Sequence, residues 1–161
     1  MTGLLIVWHS RTGGAAAMAR AAGDAAAIEG PVTVKRAEEA QPDDLLAASG
    51  YLFACPENLA SMSGAMKEFF DRCYYPVLGR IEGRPYATMI CAGSDGEGAA
   101  RQIARIATGW RLKAVAEPLI VCTHAQTPEA ILSTKMIAEP DLARCRELGA
   151  TLAAGLAMGV F

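Results

Sequence analysis

The sequence predicts an α/β fold: a doubly wound, five-stranded parallel sheet with strand order 2-1-3-4-5 and helices on both faces. Short apolar runs alternate with helical patterns along all 161 residues. These runs are continuously apolar, which is typical of strands that helices cover on both sides. Strands that alternate with helices form parallel sheets through right-handed crossovers, and five strands favour this order. With no linker or repeat in the chain, we expect one domain over residues 1–161.

The elements follow from these patterns in order. Five apolar runs are predicted as strands: Leu4–Trp8, Val32–Val34, Tyr51–Cys55, Tyr86–Ala92 and Ala114–Cys122. Five helices are predicted between and after them: Ala15–Glu29, Asp43–Ala48, Ser63–Cys73, Glu97–Trp110 and Pro140–Ala157. One long irregular segment, Thr123–Glu139, remains, and we expect it to cover a site or an interface.

Composition excludes several classes of protein. The net charge of −2 gives no electrostatic reason to expect a nucleic-acid or membrane partner. The sequence shows no signal peptide and no run of ~20 apolar residues that could span a bilayer. The five cysteines contain no C-x-x-C pair, so we expect no metal site and reduced thiols in a cytoplasmic protein.

The first strand leads into a polar loop, His9–Gly14, which opens onto the predicted first helix. A helix N-terminus carries unpaired N–H groups and a partial positive charge, which suit a bound phosphate. Ser10 and Thr12 add hydroxyl donors, and the glycines permit close backbone approach. Neither a Walker loop nor a dinucleotide fingerprint is present. The alternative interpretation is an ordinary strand–helix turn.

Two further loops belong to the same predicted edge, because ligands of doubly wound sheets bind beyond the carboxyl ends of the strands. They are Pro56–Ser63 and Gly93–Gly98, after the third and fourth strands. We expect Ser63 to N-cap its helix. Glu57 is either a ligand contact or simply a polar loop residue, and His9 is either a proton donor or a packed side chain.

These loops resemble those of the flavodoxin-like superfamily. Its phosphate pattern, Thr/Ser-x-Thr-Gly-x-Thr, is matched by Ser10, Thr12 and Gly13, whereas Ala15 replaces the final hydroxyl. The segment Pro56–Arg72 closely resembles NAD(P)H-dependent FMN reductases and quinone reductases, in which a Ser-rich turn precedes a helix reading Met-Lys-x-Phe-x-Asp-Arg.

The resemblance implies a binding site for FMN made of fourteen residues, with no catalytic side chain and no metal. The residues expected around the phosphate are Ser10, Arg11, Thr12, Gly13, Gly14 and Ala15. Those expected along the isoalloxazine ring are Pro56, Glu57, Asn58 and Leu59. Those expected on the other side of the ring are Gly93, Ser94, Asp95 and Gly96. A pairing of Arg11 with the phosphate could compensate for the hydroxyl that Ala15 lacks.

The resemblance leaves more than one function open. The favoured one is an oxidoreductase that passes electrons from NAD(P)H through FMN to a quinone, flavin or similar small-molecule acceptor. The alternatives are a flavodoxin-type electron carrier and a module that has lost FMN. The mild net charge argues against a carrier steered by an acidic surface. Leu59 also stands where flavodoxins usually place an aromatic residue.

The same resemblance implies a homodimer or higher homo-oligomer with FMN near the interface. Four apolar residues are candidate anchors for that interface: Met136, Ile137, Tyr74 and Tyr75.

Overall fold

The computed structural model describes residues 2–161, and it confirms the predicted parallel sheet. The strands are β1 (Leu4–Trp8), β2 (Val32–Arg36), β3 (Gly50–Asn58), β4 (Ser61–Met62), β5 (Pro85–Ala92), β6 (Lys113–Ala114) and β7 (Leu119–Cys122). Their order is β2-β1-β3-β5-β6, with β7 also paired to β5. Since β6 and β7 both pair with β5 in parallel, together they take the place of the predicted fifth strand. The order 2-1-3-4-5 is therefore correct.

Helices cover both faces of this sheet, as the sequence predicts. They are α1 (Gly14–Glu29), α2 (Pro42–Ala47), α3 (Gly64–Val77), α4 (Glu97–Gly109), α5 (Pro128–Leu132) and α6 (Glu139–Met158). The core beneath α1 and α6 is rich in alanine, whereas the core beneath α3 and α4 contains a cluster of aromatic rings around Phe53 and Phe70. No helix of residues 2–161 is both long enough and apolar enough to cross a bilayer.

The predicted strand Ala114–Cys122 is wrong as one continuous element. It is divided into β6 and β7, and the four residues between them belong to neither strand. Pro118 lies in this gap, and a proline has no N–H to donate to a neighbouring strand. The apolar run alone did not reveal the break.

The third strand is longer than predicted, and its extension shapes the carboxyl edge. β3 continues through Asn58 and then pairs antiparallel with β4, so that a tight hairpin stands beyond the edge of the sheet. Its two turn residues, Leu59 and Ala60, have φ of 52° and 63°. A turn with two left-handed residues matches the twist of a hairpin, although asparagine and glycine usually occupy it.

Candidate functional site

A cleft of about 500 Å³ opens at the carboxyl edge of the sheet, at the point where the strand order reverses. Its walls come from the loops after β1, β3 and β5 and from the segment after β7. A smaller pocket continues inward from it, because both share Arg11, Thr12, Pro56 and Gly93 among their lining residues. This volume falls in the range of small-molecule sites, and its position is the one that doubly wound folds use for ligands.

The loop after β1 forms a cradle at the start of α1. Gly13 has φ of 98° at the N-cap position, a conformation that favours glycine. Its N–H donates to the Ser10 hydroxyl at 3.0 Å, and its carbonyl accepts from Ala17 at 3.0 Å. In an α-helix the first N–H groups have no acceptor within the helix. Gly14 and Ala15, the first two helical residues, line the inner pocket, so this end of α1 presents free donors to a ligand.

The floor of the cradle is Cys91, near the end of β5. A Cβ on Gly14 would lie 2.5 Å from its Sγ, so only glycine lets α1 begin this close to the sheet. Burial raises the pKa of the Cys91 thiol to about 11, and the nearby Lys135 opposes that effect. Cys91 is therefore a neutral thiol at physiological pH and adds no negative charge beneath the cradle.

The hairpin forms the wall on the opposite side. Pro56, Glu57 and Asn58 contribute to both the cleft and the inner pocket, whereas Leu59 lies at the rim with its side chain fully exposed. This wall extends from a strand that pairs with β1 as far as Ala54 and with β5 as far as Pro56, and beyond that point it pairs with β4.

The carboxylate of Glu57 accepts hydrogen bonds from the backbone at the start of α4. Its Oε1 accepts from Gly96 N–H at 2.8 Å, and its Oε2 accepts from Ala99 N–H at 3.1 Å. These donors belong to the first turn of α4, where a negative charge also interacts favourably with the helix dipole. Glu57 thus caps α4 from the hairpin and joins two walls of the cleft.

A second link joins the cradle to the start of α3. The Nδ1 atom of His9 lies 2.8 Å from the Ser63 hydroxyl, which also interacts with the Cys55 thiol. Burial lowers the pKa of His9, and the positive charges of Arg36 and Arg11 lower it further against the opposing effect of Glu38. Ser63 stands at the N-cap of α3 as predicted, but its side chain makes no capping bond.

The segment after β7 lines the cleft, and the prediction that Thr123–Glu139 is irregular is wrong in part because the segment contains a short helix. Its two ends are tied to the other loops by backbone bonds: His124 N–H donates to Gly93 at 2.8 Å, and Lys135 N–H donates to Thr12 at 2.9 Å. Between these ties lies the short helix α5, which has no buried residue. Two of its residues, Ile131 and Leu132, line the cleft.

Eleven of the fourteen residues predicted for the site line the two connected pockets. They are Ser10, Arg11, Thr12, Gly14, Ala15, Pro56, Glu57, Asn58, Leu59, Gly93 and Ser94. The other three, Gly13, Asp95 and Gly96, do not. Gly13 shapes the turn, Gly96 donates to Glu57, and the Asp95 carboxylate accepts from the N–H of Glu97.

Sequence reasoning missed several lining residues: Ala60, Cys91, Ala92, Thr123, Ala125, Gln126, Ile131, Leu132 and Lys135. Cys91 and Ala92 end a predicted strand at the chosen edge, so their position in the pattern could have found them. The residues after β7 had no motif, and only the length of the irregular segment pointed to them. Among residues 2–161, no group of three or more His, Cys, Asp or Glu side chains could hold a metal ion.

The fold and the site together define a flavodoxin-like α/β protein. The chain belongs to the NADPH-dependent FMN reductase family, whose model matches residues 24–126. A curated flavodoxin of Aquifex aeolicus is 32% identical over 97 residues, which cover 59% of this chain and 52% of that protein. The chain thus spans about half the length of this curated relative.

Solved structures show the same fold at lower identity. A flavodoxin from the domain Archaea has a TM-score of 0.77 and 20% identity, covering 96% of this chain and 98% of that one. A WrbA-like flavodoxin of Agrobacterium tumefaciens has a TM-score of 0.70 and 16% identity over 98% and 99% of the two chains. The rubredoxin oxygen:oxidoreductase of Desulfovibrio gigas has a TM-score of 0.77 at 14% identity, but 98% of this chain covers only 36% of that protein.

Proposed function

We propose that the cleft binds FMN. The residues present fit the group: hydroxyls, free helix N–H groups and Arg11 surround the inner pocket, where a phosphate would be neutralised. The only carboxylate among the lining residues, Glu57, is bound to the N–H groups of α4. The wider cleft, between the hairpin and Gly93–Ser94, offers backbone edges and space for a flat ring.

We further propose that the protein is an oxidoreductase that uses NAD(P)H to reduce a quinone, flavin or similar acceptor. The observation that carries this proposal is the absence of aromatic side chains from the cleft. None of the two Trp, four Tyr and four Phe residues lines it; the large apolar side chains there are Leu59, Ile131 and Leu132. A ring face without a fixed aromatic partner is open to a stacked nicotinamide or acceptor.

Bound FMN would supply the redox chemistry, accepting a hydride and passing two electrons onward. The chain's own part is binding and orientation. The cradle would hold the phosphate end, the hairpin and the Gly93 loop would flank the ring, and Ile131 and Leu132 of α5 would lie at the side of the cleft. Hydride transfer to a flavin requires no nucleophilic side chain, so we assign none to this chain.

Anaerobic mixing of FMN-loaded protein with NADH and with NADPH tests the activity. We expect rapid bleaching of the flavin absorption by at least one nucleotide, and reoxidation when a quinone is added. A flavodoxin-type carrier is the alternative, which the match to a curated flavodoxin favours. It would be bleached by dithionite but hardly by either nucleotide, and that outcome would replace the enzyme with the carrier.

Absence of binding would instead indicate a module that has lost FMN. Titration of the purified protein with FMN, followed by quenching of flavin fluorescence, decides this. We expect saturable binding at micromolar concentration, and the FMN-binding proposal fails if none is found.

We also propose that the protein forms a homodimer or higher homo-oligomer. Met136 and Tyr75 are 89% and 78% exposed, which suits interface anchors. The other two predicted anchors are engaged within the chain, because Ile137 packs on the core and Tyr74 stacks on Trp110. Light scattering that shows a monomer at tens of micromolar would contradict this proposal. The five free cysteines favour a reducing compartment, for which we propose the cytoplasm.

A further inference from the structure

The cradle departs from the flavodoxin pattern at one position, Ala15, and Lys135 lies against the same first turn of α1. The flavodoxin pattern ends in a threonine, whereas this chain has Ala15 there and so lacks the hydroxyl. Ala15 is buried at the start of α1. Lys135 comes from the segment after β7 and lines the same inner pocket. Its Cβ would lie 3.4 Å from a Cβ on Gly14, so its side chain starts against the first turn of α1.

Four hydrogen bonds hold Lys135 in this position. Its backbone N–H donates to the Thr12 carbonyl, which ties the residue to the cradle. Its Nζ donates to the carbonyls of Ala130, Ile131 and Ser133 at 2.7, 2.8 and 2.6 Å. These carbonyls lie at the C-terminal end of α5, which favours a cation. The ammonium is therefore fixed rather than free to sample solvent.

The electrostatic surroundings indicate that this charge acts on the pocket. Burial raises the pKa of the Cys91 thiol, and the positive charge of Lys135 offsets part of that rise. The cation therefore influences the floor of the cradle. Among the residues that line the inner pocket, only Arg11 and Lys135 carry a positive charge. Arg11 is exposed and makes no hydrogen bond or ion pair with the described residues, whereas Lys135 is half-buried and less screened by solvent.

We propose that Lys135 is the second cation of the phosphate subsite and compensates for the hydroxyl missing at Ala15. With all three of its donors on α5, the ammonium stabilises a bound phosphate dianion through its fixed charge rather than as a direct ligand. This inference rests on the proposed binding of FMN.

The test compares FMN with riboflavin, which lacks the phosphate, in fluorescence titrations of wild-type protein and variants. Lys135→Met keeps the backbone bond to Thr12 and most of the side-chain bulk but removes the charge. We expect about tenfold weaker binding of FMN and less than a twofold change for riboflavin. Lys135→Arg should retain most of the preference for FMN, and the preference of the wild type should shrink as salt is raised.

Two matched controls separate charge from structure. Thr127→Ala removes the hydroxyl that caps α5 at Ala130 N–H and loosens this helix without altering the charge. Lys113→Met removes a lysine from β6, which pairs with the opposite end of β5. We expect both to leave the ratio of the two affinities unchanged.

These titrations distinguish failure of the inference about Lys135 from failure of the proposed binding of FMN. If the wild type binds FMN and Lys135→Met weakens FMN and riboflavin equally, or neither, Lys135 only holds α5 and the inference is overturned. If the wild type binds neither ligand, the FMN proposal itself has failed.

Discussion

Replacing Glu57 tests whether this residue serves the cofactor or the fold. In the structure each carboxylate oxygen accepts from a backbone N–H of α4, at 2.8 and 3.1 Å. A hydrogen bond to a charged group contributes about 1.5–3 kcal/mol when buried. Glu57 is only half-buried, so we expect Glu57→Ala to lower the free energy of unfolding by about 2–3 kcal/mol in total. For a domain of this size that corresponds to a fall in Tm of roughly 5–10 °C.

Thermal and urea unfolding of the apoprotein measure this effect, and FMN titration of the same variants measures any direct contact. Glu57→Gln keeps one acceptor and should lose about half as much stability. Glu97→Ala is the matched control, because this exposed residue of the first turn of α4 interacts only with the helix dipole, worth about 0.3–1 kcal/mol. If Glu57→Ala leaves Tm unchanged while FMN binding is abolished, the capping argument is refuted and Glu57 is a cofactor ligand.

Two further predictions concern the cradle and its pH dependence. Gly14→Ala should destabilise the protein by about 1–3 kcal/mol through overpacking against Cys91. In a double-mutant cycle followed by urea unfolding, Cys91→Ala should recover part of that loss. Strictly additive effects of the two substitutions would contradict the close contact between these residues. Because burial lowers the pKa of His9 in the folded state, the stability that neutral His9 contributes is complete above the ordinary pKa of 6.5 and is lost as the pH falls through the lowered pKa. Unfolding at pH 7.5 and pH 5 (conditions chosen to lie on either side of about 6.5) should therefore show a smaller loss of stability in His9→Gln than in the wild type. Equal losses in the two proteins would contradict the lowered pKa.

The parts of the site that could be predicted from the sequence are those whose position depends on topology alone. Parallel strands bring their carboxyl ends to one edge. Once β1, β3 and β5 are recognised by their apolar runs, the loops after them must therefore meet. This is why residues of the loops after β1, β3 and β5 line the two connected pockets although they are far apart in the chain.

The direction of individual side chains could not be predicted in the same way. A glutamate in a loop next to a ligand site suggests a ligand contact, and nothing in Pro56–Leu59 shows that the carboxylate of Glu57 turns to α4. Glu57 precedes the N–H groups that donate to it by about forty positions, and the two meet because the hairpin of β3 and β4 brings them together. Likewise, Ser63 is an N-cap residue by position, but its hydroxyl is taken by His9.

The path of the segment after β7 could not be predicted from the sequence. Its path depends on the bonds from His124 to Gly93 and from Lys135 to Thr12, which are formed by backbone atoms and so leave no pattern in side-chain types. Yet the second of these bonds brings Lys135 to the cradle that lacks the last hydroxyl of the pattern. The departure at Ala15, taken alone, suggests a weakened phosphate site. Seen with Lys135, it is consistent with a site whose charge comes from a distant segment, and the comparison of FMN with riboflavin decides between these two interpretations.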